Sequence, residues 1–127
     1  MNMMNDTIAA IATANATGAV SIIRISGEEA ILIASELINK DLSKKEGYTI
    51  TFGTVQEEND VVDEVLVSIF RAPKSYTGED VVEIGCHGGL FITRKILSLC
   101  LGKGARLARR GEFTERAFLN GKMDLSQ

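Results

Sequence analysis

A carboxylate set among aliphatic strand residues needs a partner or a ligand to offset its lost hydration, and the stretch GEDVVEIGCHGG at residues 78–89 contains one. Val81, Val82 and Ile84 give the stretch strand character around Glu83. Gly88 and Gly89 then bend the backbone into an apolar helical run, so His87 and the adjacent amides fall at the strand's exit, a common place for ligand sites. Arg24 is in the same predicament. In a strand over residues 20–25, alternation puts Val20, Ile22 and Arg24 on one face and Ser21, Ile23 and Ile25 on the other. A third candidate, Lys122, stands on a turn after Asn120-Gly121.

Two readings of these residues are open. In one, Arg24 and Glu83 face each other as a buried ion pair and Lys122 is a surface residue. In the other, the three surround a pocket for a small polar ligand. A carboxylate accepts two parallel hydrogen bonds from a ring N–H beside an exocyclic amine, and cations suit an anionic tail. A pterin joined to glutamate has both features.

Other chemistries find less support. Cys86 and His87 are neighbours on a strand end and point to opposite faces, which makes them a poor nucleophile and base. The HGG turn has no G-x-S-x-G elbow to serve, and no phosphate-binding G-x-x-x-x-G-K-[ST] loop occurs. One histidine and two cysteines, Cys86 and Cys100, do not supply a transition-metal centre, and two free thiols are expected. Neither catalytic nor metal-binding residues are therefore expected in this chain.

The elements that must position Arg24 and Glu83 can be read from periodicity. Strands are expected over residues 7–13, 20–25, 48–55 and 61–70, the last two forming a hairpin through the polar turn QEEND. A turn falls at residues 15–18, and a short final strand at residues 105–108. Ser26 and Glu29 have capping-box spacing, which predicts a helix running to about Lys40 with Ala30, Ile33, Ala34, Leu37 and Ile38 as its buried stripe. A second helix spans residues 90–101, ended by a left-handed cap at Gly102 and Gly104. A short third helix spans residues 114–120. The sum is one α+β domain with a mixed or antiparallel sheet and about three helices.

The 127 residues suffice for one domain with a real core, and 45% hydrophobic against 24% charged residues argues against disorder. The start MNMMNDT carries no basic region followed by an apolar stretch, and no run reaches the roughly 18 apolar residues of a membrane span, so a cytoplasmic protein is expected. The net charge of −3 gives no global reason for nucleic-acid binding. Residues 94–122 nevertheless hold eight basic residues against two acids, either an RNA-facing edge or a solvated face, and lack the aromatic interleaving of the former. The final MDLSQ looks like a helix entrance, so the chain is expected to head a longer protein.

The segments DTIAAIATA, AVSIIRISG, SYTGEDVVEIGCHGG and above all the ungapped RRGEFTERAFLNGKMDL resemble the N-terminal domain of the bacterial tRNA-modification GTPases called MnmE or TrmE, over essentially the whole chain. That resemblance implies a fold similar to the folate-binding region of the glycine-cleavage T-protein. It implies homodimerisation through residues 1–127 and binding of 5-formyl-tetrahydrofolate, with contacts falling on Arg24, Glu83 and Lys122. It also implies that further helical and GTPase domains carry GTP, magnesium and potassium, and that the full-length protein works with the flavin protein MnmG (GidA) to modify C5 of the wobble uridine in tRNA. This chain alone should not hydrolyse GTP. A dimerisation module without a working folate site is the alternative. Two departures stand out: ATANATGAV lacks the prolines usual in its turn, and Arg110 stands where a proline before G-E-F is usual.

Overall fold

The computed structural model describes residues 6–12 and 20–122. Its elements follow in the order β1 (Ile8–Ile11), β2 (Ser21–Ser26), α1 (Ala30–Ile38), β3 (Thr49–Glu57), β4 (Asp60–Phe70), β5 (Val81–Cys86), α2 (Gly89–Gly102), β6 (Arg106–Leu107) and α3 (Glu112–Leu119). The strands make one sheet in the order β3-β4-β5-β2-β1-β6, antiparallel apart from the parallel β1/β6 pair. This is the α+β domain with a mixed sheet and three helices that the sequence pattern predicts.

Alternation explains how the sheet is dressed. Ile23 and Ile25 of β2, Val65, Val67 and Ile69 of β4, and Val82 and Ile84 of β5 point to one face and pack with α1 and α2 in a single apolar core. The buried stripe of α1 is the predicted one, with Ile31 added. The opposite face holds Arg24, Glu83, Ile50, Phe52 and Leu66, in cross-strand rows such as Phe52↔Leu66↔Gly85↔Ile22 and Ile50↔Ser68↔Glu83↔Arg24. Each fully buried aliphatic side chain contributes about 1.5–3 kcal/mol, and a one-residue slip would drive Arg24 and Glu83 into the core. Burial of the aliphatic row thus fixes where the two charges emerge.

Several boundaries differ from expectation, each for a physical reason. No capping box forms at α1: Glu29 is the N-cap and makes no side-chain cap bond. Ser26 is buried and its hydroxyl is committed to Thr77 Oγ1 and Glu79 Oε1, both at 2.7 Å, while Thr7 Oγ1 accepts the Glu29 amide at 3.0 Å. The helix stops at Ile38 because Asn39 adopts the left-handed conformation, φ 53°. In α2, Gly102 is still helical and Lys103, φ −99°, is the C-cap; of the two expected glycines only Gly104, φ 116°, needs a positive φ. The hairpin turn shrinks to Glu58-Asn59, since Glu57 pairs with Asp60 across the strands. Helix α3 starts at Glu112, two residues earlier than predicted, after Gly111 at φ 77°. The expected turn at residues 15–18 and the MDLSQ end lie outside the described residues.

Candidate functional site

Arg24 and Glu83 are direct cross-strand partners of β2 and β5, which places both side chains side by side on the face opposite α1 and α2. Arg24 Nε donates to Glu83 Oε2 at 2.9 Å, and the side chains are 23% and 26% exposed. The guanidinium carbon lies 4.9 Å from the centroid of the Tyr76 ring and 5.3 Å from that of Phe113. Two aromatic rings thus hold the cation by its π-faces while one carboxylate oxygen holds its edge. Among the described residues, the two terminal nitrogens of Arg24 and Oε1 of Glu83 make no other hydrogen bond. The pair is only half satisfied, in contrast to a bidentate Arg–carboxylate fork.

Beside it opens a cavity of about 300 Å³ lined by Arg24, Tyr76, Arg109, Arg110, Phe113 and Thr114 together with the end of β1. Its volume is at the lower end of small-molecule sites. Tyr76 comes from the loop before β5, and Phe113 and Thr114 from α3, so the walls belong to segments distant in sequence. They are joined by the Tyr76 Oη to Thr114 Oγ1 hydrogen bond at 2.9 Å and by Asn120 Nδ2 donating to Thr77 O at 2.9 Å.

Beneath these contacts lies a network of charges. Arg116, 1% exposed, donates through Nη1 to the Asp6 carbonyl at 2.7 Å and to both Glu79 oxygens at 3.1 Å, and pairs with the Asp6 carboxylate through Nη2. Arg106 donates from Nε to Asp6 Oδ2 and from Nη2 to Glu112 Oε2, each at 2.6 Å. Burial alone would raise the Glu112 carboxyl, but the hydrogen bonds from Arg106 and from the Arg109 amide outweigh it and hold it down at about 2. The Arg106 hydrogen bond lowers Asp6 in the same direction. Arg109 is engaged by Glu115 at 3.0 Å, and Lys95 by Glu57. Arg106 and Arg116 of the basic C-terminal third are thus paired with carboxylates within the fold, while Arg109 is answered by Glu115 at the surface.

Of the three residues singled out from sequence, only Arg24 and Glu83 come together. Arg24 lines the cavity, and Glu83 stands next to it on β5. Lys122 Nζ instead donates to the Pro73 carbonyl at 3.1 Å, tethering the end of α3 to the 71–80 loop, and does not line the cavity. Sequence reasoning missed Tyr76 and Phe113. The available signal was an aromatic residue in each of two polar segments, SYTGED and GEFTER, which says nothing of a shared arginine.

Cys86 and His87 do not cooperate. Burial pushes the Cys86 thiol up to about 12 and Cys100 likewise to about 12, so neither is a thiolate at neutral pH. The His87 ring is exposed, with Nδ1 3.0 Å from the Glu64 carbonyl, and its backbone amide donates to Asp63 Oδ2 at 2.7 Å. A wider concavity of about 650 Å³ runs past His87, Phe52 and Leu66, but Asp63 there already accepts the His87 and Gly88 amides. No helix among the described residues is long and apolar enough to cross a membrane.

Residues 7–122 match the family described as GTP-binding protein TrmE N-terminus. The chain is 54% identical over 131 aligned positions to the tRNA modification GTPase MnmE of Carboxydothermus hydrogenoformans, covering 98% of this chain and 28% of the relative. It is 56% identical over 125 positions to the protein of that name from Pediococcus pentosaceus (96% and 27%), and 54% identical over 130 positions to that from Bacteroides thetaiotaomicron (98% and 28%). The chain thus spans less than a third of the length of the curated relatives it matches. With the family pattern running through almost every described element and half the residues shared with such relatives, the chain belongs to the TrmE N-terminal family, the N-terminal domain of MnmE.

Proposed function

We propose that residues 1–127 form the folate-presenting and dimerising domain of a cytoplasmic tRNA-modification GTPase, holding 5-formyl-tetrahydrofolate as a one-carbon donor for C5 modification of the wobble uridine. GTP hydrolysis, with its magnesium and potassium, belongs to the part of the full-length protein beyond this chain, as do the helical domain and engagement of MnmG. The name shared by the relatives, tRNA modification GTPase, supports the coarse reading. The observation that carries the folate reading is the half-satisfied Arg24–Glu83 pair beneath the Tyr76 and Phe113 rings.

A reduced pterin fits the chemistry of that arrangement. Its ring N–H and exocyclic amine match a carboxylate, its carbonyl oxygen matches the idle guanidinium nitrogens, and its flat ring suits an aromatic wall. Glu83 would turn its free oxygen to the ligand while Arg24 stays between the rings. Lys122 has one of its three N–H donors on the Pro73 carbonyl, which leaves two for an anionic group of the ligand.

Calorimetric titration of the chain with 5-formyl-tetrahydrofolate tests this, with Glu83→Gln as the near-isosteric variant and thermal melting as the folding control. Loss of a charged hydrogen-bond acceptor is worth about 1.5–3 kcal/mol, so affinity should fall about 10- to 100-fold. A well-folded Glu83→Gln that binds like the parent refutes the assignment.

The second reading, a dimerisation module with no working folate site, draws on a different observation. Ile50, Phe52 and Leu66 are 68%, 54% and 43% exposed on the sheet face opposite α1 and α2. A second copy covering that face would remove the patch from water. A well-folded dimer that gives no heat with the folate would favour this reading.

A further inference from the structure

The cavity beside Arg24 is lined by three arginines, Arg24, Arg109 and Arg110, and by no acidic residue, in a chain whose net charge is −3. Two of the three are already answered: Arg24 by Glu83, and Arg109 by Glu115 and Glu112. Among the described residues Arg110 has no carboxylate partner and no side-chain hydrogen bond. It is the lining cation whose charge is left over.

Its backbone is nevertheless fixed. The Glu112 amide donates to the Arg109 carbonyl at 3.0 Å, closing a four-residue turn in which Arg110 is the second residue and Gly111, φ 77°, the third. The Glu112 side chain accepts the Arg109 amide at 2.8 Å and is itself clamped by Arg106. Arg110 therefore sits on a pinned turn that lines the cavity, and it is exposed. Lys122, one of the two cations considered from sequence, donates to Pro73 O and does not line this cavity.

We propose that Arg110 is a specificity-determining residue that reads the carboxylate end of the ligand whose flat ring meets Tyr76 and Phe113. The assignment rests on the folate reading above and extends it: the site takes a planar heterocycle with an anionic tail, and the tail is recognised from the turn before α3. Recognition at this exposed rim is by charge, so it weakens with salt and depends on sign more than on shape.

The test is calorimetric titration of the wild-type chain and of Arg110→Ala, Arg110→Lys and Arg110→Glu with 5-formyl-tetrahydrofolate at low and high salt. Thermal melting provides the folding control. Arg110→Ala should bind about fivefold more weakly than wild type at low salt, with the gap closing at high salt. Arg110→Lys should remain within about twofold of wild type, and Arg110→Glu should bind more weakly than Arg110→Ala. Melting temperatures should be unchanged across the series, since the side chain has no partner to lose. Binding that ignores the charge at this position, or Arg110→Lys as weak as Arg110→Ala, overturns the assignment alone. Absence of wild-type binding overturns the folate reading and this assignment with it.

Discussion

Replacing Glu112 by glutamine removes one charge from the centre of the buried network with almost no change of shape. Glu112 is 3% exposed and accepts from Arg106 Nη1 at 3.1 Å, Arg106 Nη2 at 2.6 Å and the Arg109 amide at 2.8 Å. These bonds, working against burial, hold its pKa at about 2 instead of 4.5, which at 1.36 kcal/mol per unit is about 3 kcal/mol. Because the folded value lies below the unfolded one, that stability is complete above about pH 4.5 and is lost as pH falls through about 2. Arg106 is 32% exposed and keeps Asp6, so water and Asp6 recover part of the loss. Glu112→Gln should therefore cost about 2–3 kcal/mol at neutral pH, roughly 8–10 °C in melting temperature for a chain of this size. Urea unfolding followed across a pH series is the assay. The wild type should lose stability steeply between about pH 4.5 and 2, and the variant, weaker at pH 7, should lose less over the same range, so that the two curves converge in acid. Asp6, also held low by Arg106, leaves both proteins some acid sensitivity. Parallel curves, or equal stability at pH 7, would show that the Glu112 contacts carry no net energy.

Two further substitutions probe the frame and the outer face. A Cβ added at Gly27, φ 142°, would lie 2.5 Å from Thr7 Oγ1 and 2.6 Å from Thr7 Cα, so Gly27→Ala should destabilise by at least about 2 kcal/mol in denaturant unfolding; a neutral result would mean that β1 shifts freely. On the dimerisation reading proposed above, Phe52→Glu places a charge in the exposed apolar row without touching the core, so sedimentation should show weaker self-association than the parent with an unchanged circular-dichroism spectrum. Undiminished self-association would move the interface away from this face.

Strand alternation made the sheet legible because one of its faces is buried: Val20-Ser21-Ile22-Ile23-Arg24-Ile25 has two aliphatic residues on each face, and the face that carries Arg24 is the one left outside the core while Ile23 and Ile25 are buried. The same logic found Glu83. It could not find their surroundings, since Tyr76 and Phe113 reach Arg24 through a loop and a short helix whose positions follow from tertiary contacts and not from periodicity. Cap signals failed where tertiary partners competed: Ser26 had a better offer from Thr77 and Glu79 than from its own helix start.

Lys122 illustrates the remaining gap. A lysine on a turn is free to point anywhere, and its donation to Pro73 O depends on where the segment after α3 lies against the 71–80 loop. That placement depends on Arg116, which joins Asp6 at the start of the chain and Glu79 in the 71–80 loop to α3. Buried pairs of this kind seldom add much stability over apolar packing of the same volume, yet breaking one leaves an uncompensated charge. An apolar contact would let α3 rotate or slide on the loop. The planar fork of Arg116 permits little of either, and Phe113, one turn before it, and Tyr76, three residues before Glu79, are held at matching heights above Arg24.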